Sequence, residues 1–92
     1  MAQLIKANGV VQEITPVDTK KGFSLEELYG YIECDTIEAH PLNDGKIMVM
    51  DEEGHFKENE INIFATTRYR DTYRTKDVIV GNVVICNNNE LQ

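Results

Sequence analysis

Two charged clusters are the parts of this 92-residue chain best suited to chemistry. In the first, eleven carboxylates between Glu26 and Glu60 face only Lys46 and Lys57, a local net of −9 in a chain of net −7. Within it, Asp51, Glu52 and Glu53 with His40 or His55 come nearest to a metal site, because hard cations need several carboxylate oxygens converging on one centre. Adjacent strand residues point to opposite faces, however, and Gly54 follows at once, so the run reads as a solvated turn. Zinc would need Cys34 or Cys86 to meet the histidines, and neither Cys-x-x-Cys nor His-x-x-x-His occurs.

The second cluster is Arg68, Tyr69, Arg70, Tyr73 and Arg74, with Lys76 just beyond. Guanidinium forks and phenol rings can hold a phosphate and stack on a base, which would make a small nucleotide site. The plainer reading is a solvated helix end whose bases balance the acidic middle. Nucleophilic catalysis finds little support. Ser24 is the only serine and is placed to cap a helix, and the six glycines are scattered singly, so no phosphate loop exists. No catalytic residue, bound metal or cofactor is expected.

The elements that must position these clusters are well punctuated. Ala2–Lys6 and Val10–Ile14 flank Asn8-Gly9, a hairpin signal for a type I′ turn. Pro16 closes the second strand. Ser24-Leu25-Glu26-Glu27 is a capping box, with Phe23 and Leu28 as a hydrophobic staple, and Gly30 is expected to end that helix after two turns. A strand with neither face cleanly apolar follows over 31–39. Asn43-Asp44-Gly45 makes a second hairpin turn into Lys46–Met50. Over 58–70 the spacing of Ile61, Phe64, Ala65 and Arg68 predicts a short helix capped by Asn59, against the strand propensity of Ile63, Thr66, Thr67 and Tyr69. Residues 77–80 and 83–86 are β-rich, joined at Gly81-Asn82 as one bent strand or as a hairpin. Residues 87–92 read as a frayed tail.

These elements predict one α+β domain over residues 1–92. Its core is a small antiparallel sheet, curved or partly barrel-like, of five to six strands, with two short helices over one side or end. Two cysteines are too few for a disulfide scaffold and fit reduced, buried thiols. With no apolar run of the roughly 20 residues that span a bilayer, and no secretion-signal layout at Met1–Lys6, the expectation is a cytoplasmic protein without membrane contact.

In order, the chain presents the N-terminal hairpin, Ser-Leu-Glu-Glu-Leu, Gly30-Tyr31-Ile32-Glu33, Asp44-Gly45, Met48-Val49-Met50 and Glu52-Glu53-Gly54. It then runs through Asn62-x-x-Ala65-Thr66 to Asp77-Val78-Ile79-Val80-Gly81-Asn82-Val83-Val84-Ile85. Over residues 2–87 this resembles a domain-of-unknown-function family of small proteins from phages and gut bacteria, notably Bacteroides-type genomes and their mobile elements. The family's Leu-Pro-x-Asn segment before Ala-Thr is replaced here by Glu60-Ile61-Asn62, which lacks the proline. The resemblance implies a fold and a genomic setting, and it carries no activity or functional residue across.

No motif fixes a function. The leading expectation is a non-enzymatic phage or mobile-element accessory protein that binds an unidentified protein partner through an acidic surface of Glu33, Asp35, Glu38, Asp51, Glu52 and Glu53. Such a surface can imitate a phosphate backbone. The alternative is a nucleotide-binding protein using the Arg68–Arg74 segment. Duplex DNA is not an expected partner of a chain this acidic. Exposed sheet edges leave homo-oligomerisation open.

Overall fold

The computed structural model describes residues 2–54, 57 and 59–91. Strands β1 (Ala2–Ile5), β2 (Val11–Ile14), β3 (Ile37–Pro41), β4 (Lys46–Asp51) and β5 (Val83–Asn87) form one antiparallel sheet of order β2-β1-β5-β4-β3. The sheet is open, so β2 and β3 remain as edges and no barrel closes. Helices α1 (Leu25–Ile32) and α2 (Ile63–Tyr73) complete an α+β fold.

The helices lie on opposite faces, not together over one side or end as expected. Ala2, Leu4, Val49, Val84 and Cys86 pack with Leu28 and Ile32 of α1. The alternating residues Ile5, Met48, Met50, Val83 and Ile85 pack with Ala65 of α2. Because successive strand residues point to opposite faces, burying both faces demands apolar residues at every position of a central strand. The unbroken runs Ile47–Met50 and Val83–Cys86 follow from that.

Helix α1 starts as its sequence dictates. The Ser24 hydroxyl accepts from the Glu27 amide at 3.2 Å, and Glu27 Oε1 accepts from the Ser24 amide at 3.1 Å. Glu27 Oε2 also accepts from the Val17 amide at 3.0 Å, and these backbone donors hold its carboxyl below the usual range. The helix does not end at Gly30. It runs on to Ile32, and Glu33 takes the left-handed conformation at φ 63°. Burial decides this: Ile32 lies one turn beyond Leu28 on the apolar face, and the Asn82 amide reaches the Tyr31 carbonyl and Glu33 Oε2 at 3.3 and 3.0 Å. The strand expected over 31–39 therefore contracts to Ile37–Pro41.

Both hairpin turns are three-residue loops with one left-handed glycine, not the type I′ turn expected at Asn8-Gly9. The Gly9 amide donates to the Lys6 carbonyl and the Lys6 amide to the Val10 carbonyl, with Gly9 alone at positive φ. Leu42, Gly45 and Lys46 repeat the pattern.

Helix α2 forms as expected but is capped by Asn62, not Asn59. Its buried residues are Ala65 and Thr66, with Tyr69 packed beside them, so the inward face is not the Ile61, Phe64, Arg68 stripe. Residues 77–79 do not join the sheet. Val80 makes only an isolated bridge to Ile61, and Gly81, at φ 77°, turns the chain into β5. Of the tail expected to fray, residues 88–91 are docked: Asn88–Glu90 is a 3-10 turn, Leu91 bridges Phe23, and the Phe23 amide donates to the Glu90 carbonyl at 2.6 Å, while Gln92 lies outside the described residues.

Candidate functional site at the acidic end of the sheet

Strand register decides which residues share an end of the molecule. Ile5 pairs with Val83, Val84 with Val49, and Asp51 with Ile37. The loop after β1, the Gly81-Asn82 turn before β5, the turn after β4 and the residues leading into β3 therefore meet at one end. Asn62 ties the start of α2 to this end, donating to the Ile5 and Gly81 carbonyls at 2.9 Å each while accepting from the Ala65 amide at 3.1 Å. Asn82 ties α1 to the loop after β1, donating to the Tyr31 carbonyl at 3.3 Å while accepting from the Ala7 amide at 3.2 Å through Oδ1.

Glu33, Asp35, Glu52, Glu53 and Glu60 gather here, all exposed. Thr36 links the acids of the two hairpin strands: its carbonyl accepts from the Glu52 amide, and its hydroxyl donates to Glu53 Oε1 at 3.3 Å. Glu38, one residue into the β3 ladder, is also exposed but faces the α2 side. Asp51 is not a surface residue. It is 7% exposed, accepts from the Glu53 amide at 2.9 Å and pairs with Lys57 at 2.8 Å. The hydrogen bond from Lys57 to Asp51 raises the lysine's pKa. Burial, with Asp51 nearby, raises that of the Cys34 thiol.

Among the described residues, no group of three or more His, Cys, Asp and Glu is arranged to hold a metal ion. His55 lies outside the described residues. His40 sits apart, its ring edge-on to Tyr69 and Tyr73 at 5.4 and 6.0 Å. Its Nε2 is buried without a hydrogen-bond partner, and Glu38 Oε1, 3.3 Å away, becomes an ion-pair partner only when the imidazole is protonated.

The basic segment is engaged elsewhere. Arg70 donates through Nε to the Asp77 carbonyl at 3.0 Å and through Nη2 to the Lys76 carbonyl at 2.8 Å, fixing the chain that leaves α2. Arg68 pairs with Asp44 at 2.6 Å. The Tyr73 hydroxyl donates to the Pro41 carbonyl at 2.5 Å, and Tyr69 is packed against the α2-side core, where burial raises its pKa. Arg74 is the left-handed cap residue of α2 at φ 52°. Four of the five residues lie on α2 and Arg74 caps it, but Arg68, Arg70 and Tyr73 each already hold a partner within the fold.

Sequence reasoning missed the concavities of the acidic end. A polar one of about 530 Å³ is lined by Lys6, Asn8, Glu33, Asn59, Glu60 and Asn82. Beside it, sharing Ala7 and Asn8, an apolar one of about 390 Å³ is walled by Ile63, Phe64 and Thr67. The signal in the sequence was Ile61-Asn62-Ile63-Phe64. With Asn62 at the cap and Ala65 inward, the neighbouring apolar residues are forced outward, leaving Ile61, Ile63 and Phe64 55%, 75% and 57% exposed.

No helix among the described residues is long and apolar enough to cross a membrane. No curated protein and no solved structure shows a significant match to the chain. A family model for a domain of unknown function, DUF3846, matches residues 3–91, which is nearly the whole of the sequence. The chain belongs to the DUF3846 family.

Proposed function

We propose that this protein is a non-enzymatic accessory protein of a phage or mobile element, acting in the cytoplasm, that docks a basic protein partner on the acidic end of its sheet. One observation carries the reading: Glu33, Asp35, Glu52, Glu53 and Glu60 converge there on exposed positions, and among the described residues none of them is in an ion pair. The bases nearby are Lys6 and Lys57, and Lys57 is bound to the buried Asp51. Carboxylates held on a rigid frame give a steady negative potential that steers and orients a cationic surface.

Affinity capture from a lysate of the host, washed at stepwise salt, tests this against the Asp35→Asn/Glu52→Gln/Glu53→Gln variant. A partner retained by the native protein, released by salt and lost from the variant supports the reading. Equal retention by both, or capture of nothing at moderate salt, overturns it. The nucleotide alternative at Arg68, Tyr69, Arg70, Tyr73 and Arg74 requires Arg70 to abandon two carbonyls and Arg68 to leave Asp44. Thermal-shift screening with cyclic and linear nucleotides decides it. Any self-association would use the unpaired outer sides of β2 and β3, and light scattering on the purified chain reads it directly.

A further inference from the structure

We infer that the acidic end carries a two-part groove for an extended peptide segment in which a lysine or arginine neighbours a large apolar or aromatic residue. The inference rests on the acidic-docking reading and adds what that surface selects. A surface that served charge alone would need no apolar concavity. Here the polar hollow of about 530 Å³ and the apolar one of about 390 Å³ share Ala7 and Asn8, so one ligand can enter both. Volumes of this size accommodate a side chain with its flanking backbone.

Charge selects the occupant of the first part. Glu33 and Glu60 oppose the single ammonium of Lys6, and the amides of Asn8 and Asn59 line the same wall. Among the described residues neither Glu60 nor Lys6 makes a side-chain hydrogen bond or ion pair, while Glu33 Oε2 is aligned by Asn82 at 3.0 Å. A guanidinium or ammonium entering there meets two carboxylates and amide oxygens, as a cation's donors require.

Apolar contact selects the occupant of the second part. Ile63 and Phe64 stand in the first turn of α2, 75% and 57% exposed, on a helix whose cap Asn62 is almost fully buried. A small domain gains nothing in stability from large apolar side chains left in water, and an exposed apolar patch with a polar rim marks an interaction surface. Arg68 at its far side does not repel a cationic ligand, because Asp44 neutralises it at 2.6 Å. A second copy of this chain is the weaker candidate, since each copy brings a net charge of −7 to the contact.

The test is a ¹⁵N–¹H correlation titration of the full chain with acetyl-Gly-Arg-Phe-Gly-amide and acetyl-Gly-Arg-Gly-Phe-Gly-amide, which differ in the spacing of the two anchors. Saturable shifts are expected at the backbone amides of Ala7, Asn8, Gly81 and Asn82, with a Kd of about 0.1–1 mM for one peptide of the pair. Citrulline in place of arginine, or glycine in place of phenylalanine, is expected to weaken binding at least roughly fivefold, equivalent to about 1 kcal/mol. In the protein, Phe64→Ser should erase the preference for phenylalanine and Glu60→Gln the preference for arginine. Both side chains are exposed, so an unchanged spectrum elsewhere verifies the fold. Absence of saturable shifts, shifts at another surface, or indifference to the phenylalanine overturns the groove. Should an Arg-Gly-Arg peptide bind in a Glu52→Gln/Glu53→Gln-sensitive manner while ignoring Phe64→Ser, the groove falls and acidic docking stands. If no cationic peptide binds at all, both fall.

Discussion

The two ends of the sheet use their polar groups in opposite ways. At the end carrying the loop after β1 and the turn after β4, neutral amides do most of the holding. Asn62 and Asn82 between them bind the backbone of β1, α1 and the turn before β5. The carboxylates there, apart from Asp51, are left facing solvent. At the other end, charged and phenolic groups do most of the holding: Arg70 on two carbonyls, Arg68 on Asp44 and Tyr73 on Pro41, with the Asn43 backbone amide donating to the Thr72 hydroxyl beside them. Charge density in a sequence therefore says little about a site until it is known which charges the fold has already engaged. By that measure the acidic end is available to a partner, and the basic segment is mostly structural.

The largest effect that would break this comparison is expected from Asn62→Ala. It removes an N-cap, at about 1 kcal/mol, and leaves the Ile5 and Gly81 carbonyls without their buried amide donor, at about 1 kcal/mol or more each. A loss near 3 kcal/mol, or a fall in Tm of roughly 12–24 °C for a domain of this size, should be read by urea and thermal unfolding. A change under about 1 kcal/mol would mean that the amides do not hold the acidic end.

Next in size is an alkaline effect set in the core between the ends. Burial pushes the Cys86 thiol up from 9.0 to about 11, because the thiolate cannot be hydrated there. A raised folded-state value favours the neutral thiol in the folded protein. Its contribution is thus complete below pH 9 and is lost as pH rises from 9 to 11. Cys34 and Tyr69 shift in the same direction, each chiefly through burial. Denaturant midpoints measured from pH 8 upward should fall across that window, and Cys86→Ala should flatten the slope whatever its effect on stability at pH 8. An equal slope in that variant would place the alkaline limit elsewhere.

The smallest effects belong to the basic end. Arg70→Ala should cost about 1 kcal/mol by freeing two carbonyls that water can partly satisfy. Arg68→Ala should cost at most about 1 kcal/mol, as for an exposed ion pair. Neither substitution should alter duplex DNA binding, since the native protein is expected to show none below about 100 μM in an anisotropy titration at physiological salt. Salt-sensitive micromolar binding that vanishes in Arg68→Ala/Arg70→Ala would reverse the ranking of the two ends.

What the sequence made legible was local. The capping box at Ser24, the glycine turns at Gly9 and Gly45, the helix around Ala65 and the β-rich run into Cys86 all depend on neighbours a few residues away. What it hid depends on distant partners. Helix α1 outlasts Gly30 because Ile32 finds the core and Asn82, 51 residues beyond Tyr31, accompanies its last turn. Asn62 displaces Asn59 as cap because its amide can reach Ile5, 57 residues back. Asp51 looked like surface charge, yet its position in the β4 ladder opposite Ile37 turns it inward towards Lys57. The exposed acids could be counted in the sequence. That they share an end could not, because strand register brings them together.

The place of β5 has a consequence for how the chain is made. Residues 2–14 and 37–51 each supply a self-contained hairpin, but these two hairpins never touch as neighbours in the sheet, and β5 joins them. During synthesis at about 5–20 residues per second, the ribosome needs roughly 2–7 s after β4 to deliver β5. Throughout that interval β1 and β4 each present an unpaired inner edge flanked by apolar residues, the kind of surface that holdase chaperones and neighbouring nascent chains bind.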